Sequence, residues 1–210
     1  MEVCLLCQNP TASTKTTLNG IIFLTCDTCF VLFKHPQHFV TATVEKERYL
    51  KHTNDVTNHG YQKFVSPLVN AIFSKYNTTD MGLDFGAGTG PVVSKLLSEK
   101  GYIPALFDPF FHPDTAALQK KYDYIICSEV IEHFYNPNKE FQLLKNLLKP
   151  KGTLYCMTEL VPKEIPLKDW HYKNDYTHVV FYTEKTMQWI KKKYGFKEIS
   201  INGRLISLLN

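Results

Sequence analysis

Two groups of residues in this chain have types and spacings that point directly to chemistry. The first is Cys4-x2-Cys7 followed by Cys26-x2-Cys29. Two such knuckles at this separation supply four thiolates to one tetrahedral zinc, and a filled coordination sphere of that kind is structural rather than catalytic. The alternative is a reduced or disulfide-linked quartet without metal, which is uncommon for cysteines concentrated this way in a cytosolic chain. The second group sits in residues 168–182, a loop that carries Trp170, His171, Tyr172, Asp175, Thr177, His178, Phe181 and Tyr182. Long loops rich in aromatic and ionisable groups usually serve a site, because their backbone polar groups are costly to bury without partners. Imidazole suits general-base work near neutral pH. His171 and His178 are the leading candidates, with Asp175 able to orient one of them and Tyr172 beside them; His133 is the third. The alternative role for these histidines is hydrogen bonding that shapes the loop. A metal held by His133, His171 and His178 has no ligand spacing to support it.

A third feature is a place for a ligand rather than a reacting group. Residues 81–91 read MGLDFGAGTGP: a short apolar strand that turns through Gly86, Gly88 and Gly90, with Ala87 between. Glycine admits positive φ and lets a ligand reach the backbone without meeting a Cβ. A glycine turn by itself also marks an ordinary tight turn, and without Lys and Ser/Thr after the glycines this is no phosphate-cradling loop. Asp84 precedes the turn, and the next strand, 103–107, ends in Asp108-Pro109-Phe110. A carboxylate at the end of a second strand can accept hydrogen bonds from both hydroxyls of a ribose, in either NAD or S-adenosylmethionine.

These groups need elements to position them. A hairpin around Gly20, with Ile21 to Leu24 as its second strand, delivers the second cysteine pair. Helices are expected at about 44–52 and 61–76, the latter from Phe64, Val65, Leu68, Val69, Ile72 and Phe73 at helical spacing, with Pro67 early in it or kinking it. Pro91 suits the first turn of a helix with Val92, Val93, Leu96 and Leu97 on its apolar face. A strand at 124–127 leads to Ser128-Glu129-Val130-Ile131-Glu132-His133. Asn136-Pro137 starts a helix that buries Phe141, Leu144, Leu147 and Leu148, and a strand at 153–158 follows. Thr183 caps a helix over 184–194, whose Lys191, Lys192 and Lys193 suit its C-terminal dipole. Two strands, 197–201 and 205–209, flank Asn202-Gly203 as a hairpin. Cys127 and Cys156 fall in apolar strands as small core residues.

The glycine turn, the Asp108 position and the 124–133 stretch together resemble the class I S-adenosylmethionine-dependent methyltransferases, whose first motif reads much like LDFGAGTG. The NAD pattern places its third glycine one residue later, where Pro91 stands. The resemblance covers roughly residues 60–210 and implies an α/β, Rossmann-like sheet with an antiparallel C-terminal strand pair. The stretch from Phe110 to Tyr124 is too short for the usual helix, strand and helix, so the third strand is expected to be missing or shortened. The adenine is then expected against Phe110 or Phe111. By the resemblance, Asp84 and Gly86–Gly90 hold the donor's amino-acid end, Asp108 the ribose, and Glu129, flanked by Ser128 and Val130, the amino group. The early helices form a lid, making Tyr49, His52, Asn54, Asp55, Tyr61 and Phe64 pocket-wall candidates, with helix packing the simpler reading of Phe64. The loop over 168–182 stands over the donor's sulfur. A cysteine-rich front module joined to this fold is also similar to that of some sugar and small-molecule methyltransferases.

Three regions are expected: a zinc-ribbon-like module at 1–35, a helical lid and linker at 36–78, and the Rossmann-like domain at 79–210. Lys and Arg number 24 against 20 Asp and Glu, a formal charge of +4. Four lost thiol protons and one zinc bring that to about +2. So small an excess does not imply a nucleic-acid partner, and a small-molecule acceptor is expected. A tRNA methyltransferase and a non-catalytic binding protein are the rival readings. No apolar run reaches membrane-spanning length and the N-terminus has no signal-peptide form, so a cytoplasmic protein is expected. The oligomeric state stays open.

Overall fold

The computed structural model describes residues 2–10, 13–51 and 55–210. His52 and Asn54, two of the pocket-wall candidates, lie outside the described residues. Asn19 and Gly20 both take positive φ, 50° and 79°, and turn β1 (Ser13–Leu18) into β2 (Ile21–Cys26). That pair of left-handed residues is what a two-residue hairpin needs to match the strand twist. β3 (Leu32–Lys34) adds antiparallel to β2. Then come α1 (Ala42–Lys51) and α2 (His59–Phe73), the second capped by Asn58 Oδ1 on the Tyr61 amide and carrying Pro67 in its interior.

The main sheet follows as β4 (Gly82–Phe85), α3 (Val92–Ser98), β5 (Ala105–Phe107), β6 (Tyr122–Ser128), α4 (Pro137–Leu147) and β7 (Leu148–Met157). β8 (Val180–Phe181), α5 (Glu184–Tyr194), β9 (Glu198–Asn202) and β10 (Leu205–Leu209) complete the chain. The six strands run in the order β5-β4-β6-β7-β10-β9. The first four are parallel, and β10 lies antiparallel between β7 and β9. Between β5 and β6 the chain makes only an isolated Asp108–His112 bridge and a short turn of 3-10 helix over Thr115–Gln119. The family's third strand is therefore absent, as expected, and β5 is the sheet edge. β7 begins at Leu148 rather than at 153: Tyr122 pairs Leu148 and Tyr124 pairs Thr153, so residues 149–152 bulge where Pro150 and Gly152 stand.

Alternation along the strands divides the core into two layers. Leu83, Ile125, Cys127, Leu154, Cys156, Ile206 and Leu208 face one side, packed with Phe141, Leu144 and Leu147 of α4 and Met187 and Ile190 of α5. Tyr124, Ile126, Tyr155 and Met157 face the other, packed with Val65, Leu68 and Ile72 of α2 and Val92, Val93 and Leu97 of α3. The cysteine module does not stand apart from this. Cys4, Leu6, Cys26, Cys29, Val31 and Phe33 belong to the first layer, and β8 pairs β3 to make the module's sheet four-stranded. No helix among the described residues is long and apolar enough to cross a membrane.

Candidate active site

The loops that carry the polar residues all leave the same end of the sheet. Parallel strands present their C-terminal ends together, and the order reverses between β4 and β6, which opens a crevice there. A cavity of about 980 Å³ occupies that place. Its floor and one end are Gly86, Gly88 and Thr89 after β4, Asp108, Pro109 and Phe110 after β5, and Ser128, Glu129 and Val130 after β6. Tyr61 and Phe64 of α2 wall it, and Glu45 and Tyr49 of α1 lie across it. His133, Asp175 and His178 form the other end.

The glycine turn has little freedom to be anything else. Gly86 sits at φ 80°, and a Cβ there would come within 2.5 Å of a Val130 methyl. Val130 thus packs directly on the turn, and only a hydrogen at position 86 leaves room for both it and a ligand. Asp108 is buried, and its carboxylate accepts from three backbone amides: Phe110 at 2.8 Å, Phe111 at 3.0 Å and Gly88 at 3.0 Å. It therefore ties the glycine turn to the loop after β5. Asp84, Ala87 and Gly90 do not line the cavity. Asp84 lies beneath the turn, accepts from Ser94 Oγ at 2.6 Å, and is pushed up to about 6 by burial. Phe110 lines the cavity and Phe111 does not, so Phe110 is the aromatic available to a base.

Glu129 stands in the left-handed region at φ 54°. Its Oε2 meets Arg204 Nη2 at 2.6 Å and the Tyr172 hydroxyl at 3.2 Å, while its Oε1 is buried without a partner among the described residues. An unfilled carboxylate oxygen at a cavity wall is a receptor for a donor, and burial, opposed by Arg204, raises this carboxyl. Three residues on, Glu132 is wholly buried; the Tyr172 hydroxyl donates to one oxygen and Thr158 Oγ1 to the other at 3.0 Å. Burial, with Glu129 beside it, pushes Glu132 up to about 8.

The two cavity histidines are set by backbone carbonyls. His133 Nδ1 lies 3.0 Å from Thr177 O and His178 Nδ1 lies 2.8 Å from Tyr172 O. A carbonyl only accepts, so Nδ1 carries the proton in each ring. Their ring centroids are 4.8 Å apart. Burial lowers His178 to about 4, which keeps the ring neutral. Asp175 orients neither ring by a hydrogen bond: its carboxylate accepts from Arg48 Nη2 at 2.8 Å and from the Thr177 amide and hydroxyl. Burial works against it, yet the Thr177 donors and Arg48 hold it well below the usual carboxylate range. His171 is the sequence candidate that the structure leaves out. Its side chain is 79% exposed, 3.7 Å from Glu159, and off the cavity. Tyr172 does not line the cavity; its hydroxyl donates to Glu132 and lies 3.2 Å from Glu129 Oε2.

The four cysteine sulfurs lie within 4.8 Å of one another, with Cys4 to Cys29 and Cys7 to Cys26 each at 3.5 Å. These are far longer than a disulfide bond and close to the edge of about 3.8 Å expected for thiolates on one zinc. The donor set and its convergence fit that ion.

A six-stranded sheet of this order, with a cavity of nucleoside size at the strand switch, has the class I methyltransferase fold. The chain matches the methyltransferase domain family over residues 57–201 and belongs to it. Over 95 residues it is 30% identical to the ubiquinone biosynthesis O-methyltransferase of Actinobacillus pleuropneumoniae serotype 5b, a stretch that is 43% of this chain and 41% of that protein. The chain thus spans well under half the length of that curated relative. In fold it is similar to 1,6-didemethyltoxoflavin-N1-methyltransferase of Burkholderia thailandensis, solved with its acceptor and S-adenosylhomocysteine: TM-score 0.58, 14% identity, 93% of this chain and 98% of that one. Human N-acetylserotonin methyltransferase, solved with its methyl donor, gives TM-score 0.53 at 13% identity over 71% of this chain and 53% of that one.

Proposed function

We propose that this chain transfers a methyl group from S-adenosylmethionine to a small-molecule acceptor. The observation that carries the reading is that one cavity gathers a glycine turn, Asp108 and a Glu129 oxygen without a partner among the described residues together with two imidazoles set by backbone carbonyls. When bound, the sulfonium donor supplies an electrophilic methyl group. Asp108 is placed for the ribose hydroxyls, Phe110 for the adenine face and Glu129 Oε1 for the ammonium. Aromatic faces at Tyr61 and Phe64 suit a cationic sulfonium. His133 and His178 face the acceptor, and alignment of the two reactants in a walled cavity accounts for much of the acceleration. α1 closes over the site, since Tyr49 packs edge-on against His133 at 5.3 Å and reaches Phe110 at 6.0 Å. The enclosure supports a small acceptor over a polymer. Zinc in the Cys4, Cys7, Cys26 and Cys29 cluster is structural, because four thiolates leave no open position.

Incubation with methyl-labelled S-adenosylmethionine and fractionated cell extract tests the reading. Label is expected in the small-metabolite fraction. Label in tRNA alone would overturn the acceptor class, and no transfer to any fraction would overturn the activity.

A further inference from the structure

The acceptor end holds a third group that faces the same point as the two imidazoles. One ligand atom each from Glu132, His133 and His178 lies within 4.8 Å of the others. Glu132 and His133 are adjacent in one turn of 3-10 helix, Ile131–His133, and His178 arrives from the loop before β8. We propose that these three residues bind a divalent transition-metal ion, a site separate in place and in chemistry from the cysteine cluster.

The hydrogen bonds around the three residues are those that ligands of such an ion need. Both Nδ1 atoms are committed to backbone carbonyls, so Nε2 is the atom that each ring would turn to the ion; ligating histidines are oriented in this way by their other nitrogen. Glu132 is wholly buried, and both of its donors are neutral hydroxyls, Tyr172 and Thr158. Each carboxylate oxygen has a second lone pair left after accepting one such bond. An ion among these three groups would supply the positive charge that the two neutral hydroxyls do not. The ligand atoms lie within 4.8 Å of one another, and binding would draw them in to the roughly 3.0–3.4 Å between neighbouring ligands on an ion with bonds of about 2.1 Å. Two imidazoles and one carboxylate leave open positions, and this set suits a first-row divalent ion, unlike the closed, soft thiolate cluster.

His133 and His178 line the cavity, so the open positions face the acceptor. Resting on the methyl-transfer reading above, the ion assigns the acceptor atom as oxygen. A hydroxyl bound to it is acidified and gives its proton to solvent. The oxygen then forms the new bond to the methyl carbon while the carbon–sulfur pair returns to sulfur. The products are a methyl ether and a neutral thioether, and no oxidant or reductant is consumed.

Titration of Mn²⁺ into the full-length, zinc-replete chain, followed by the electron paramagnetic resonance signal of free Mn²⁺, tests the site. One Mn²⁺ per chain is expected to bind, and His178→Ala and Glu132→Gln should each weaken it by at least about tenfold. His133→Gln provides a third variant at a half-buried position should Glu132→Gln fail to fold. Zinc content and S-adenosylhomocysteine affinity by calorimetry should stay at wild-type values in the folded variants. Absence of Mn²⁺ binding, or binding equal in wild type and variants, would overturn the metal site. Mn²⁺ bound without any S-adenosylhomocysteine binding would leave the site standing and overturn the methyl-donor reading instead.

Discussion

The Asp108 carboxylate is already engaged before any ligand arrives, holding the amides of Gly88, Phe110 and Phe111. Asp108→Ala therefore removes a ribose acceptor and also frees the two loops that frame it. Charge-assisted hydrogen bonds contribute about 1.5–3 kcal/mol each, so the substitution should weaken S-adenosylhomocysteine by at least about tenfold. Calorimetry reads the loss, and thermal unfolding reports the separate cost to the loops; unchanged affinity would remove Asp108 from the donor site. Its place at the end of a strand beside the glycine turn was legible in the sequence, and its hold on three amides was not. Glu132 was not. It sits in the quoted Glu129-to-His133 stretch, but only the structure brings Tyr172, Thr158 and His178 around it. Arg204 was equally silent, since its partners Glu129 and Glu159 are distant in the chain and only the β9–β10 turn carries it to them. The spacing that made His171 attractive says nothing about direction, and its ring points to solvent.

At the scale of elements, α1 covers the cavity and is fastened by few contacts. Arg48 pairs with Asp175 at 2.8 Å, and the Tyr49 ring packs on His133 and Phe110. Only Glu45 of α1 is buried, so little apolar surface holds the helix down. Elements of this kind open at low cost. Arg48→Ala should speed amide hydrogen exchange in α1 by about threefold to tenfold, consistent with the ~1 kcal/mol that a partly exposed pair contributes, with little shift in global unfolding. Unchanged exchange would mean that α1 is held by something other than this contact. Helices and strands with full apolar periods were legible, α4 with its Asn136 cap and α5 with its Thr183 cap among them. β8 was not, because two residues carry no period and its pairing with β3 is set by the cysteine module far earlier in the chain. The bulge at 149–152 hid the first residues of β7 in the same way.

For the whole molecule, the cysteine module and the methyltransferase sheet share one buried layer, joined further by the β3–β8 pairing. The sequence reading places a boundary at residue 35, and the buried layer extends across it. Removal of zinc by a chelator, or Cys4→Ser, should therefore lower the midpoint of a single unfolding transition for the entire chain, because metal-binding free energy is folding free energy. Two separate transitions, or a midpoint that does not move, would contradict a shared core. The shared layer also links the cysteine cluster to the cavity, since β8, the strand that closes the module's sheet, begins two positions after His178.

The central claim is that the cavity takes an adenosyl methyl donor, and calorimetry on the intact, zinc-loaded chain addresses it most directly. S-adenosylhomocysteine should bind at one site per chain with a dissociation constant of about 1–100 μM, a binding free energy of roughly −5.5 to −8 kcal/mol, while NAD gives no heat beyond dilution. Saturable NAD binding with no response to S-adenosylhomocysteine would contradict it.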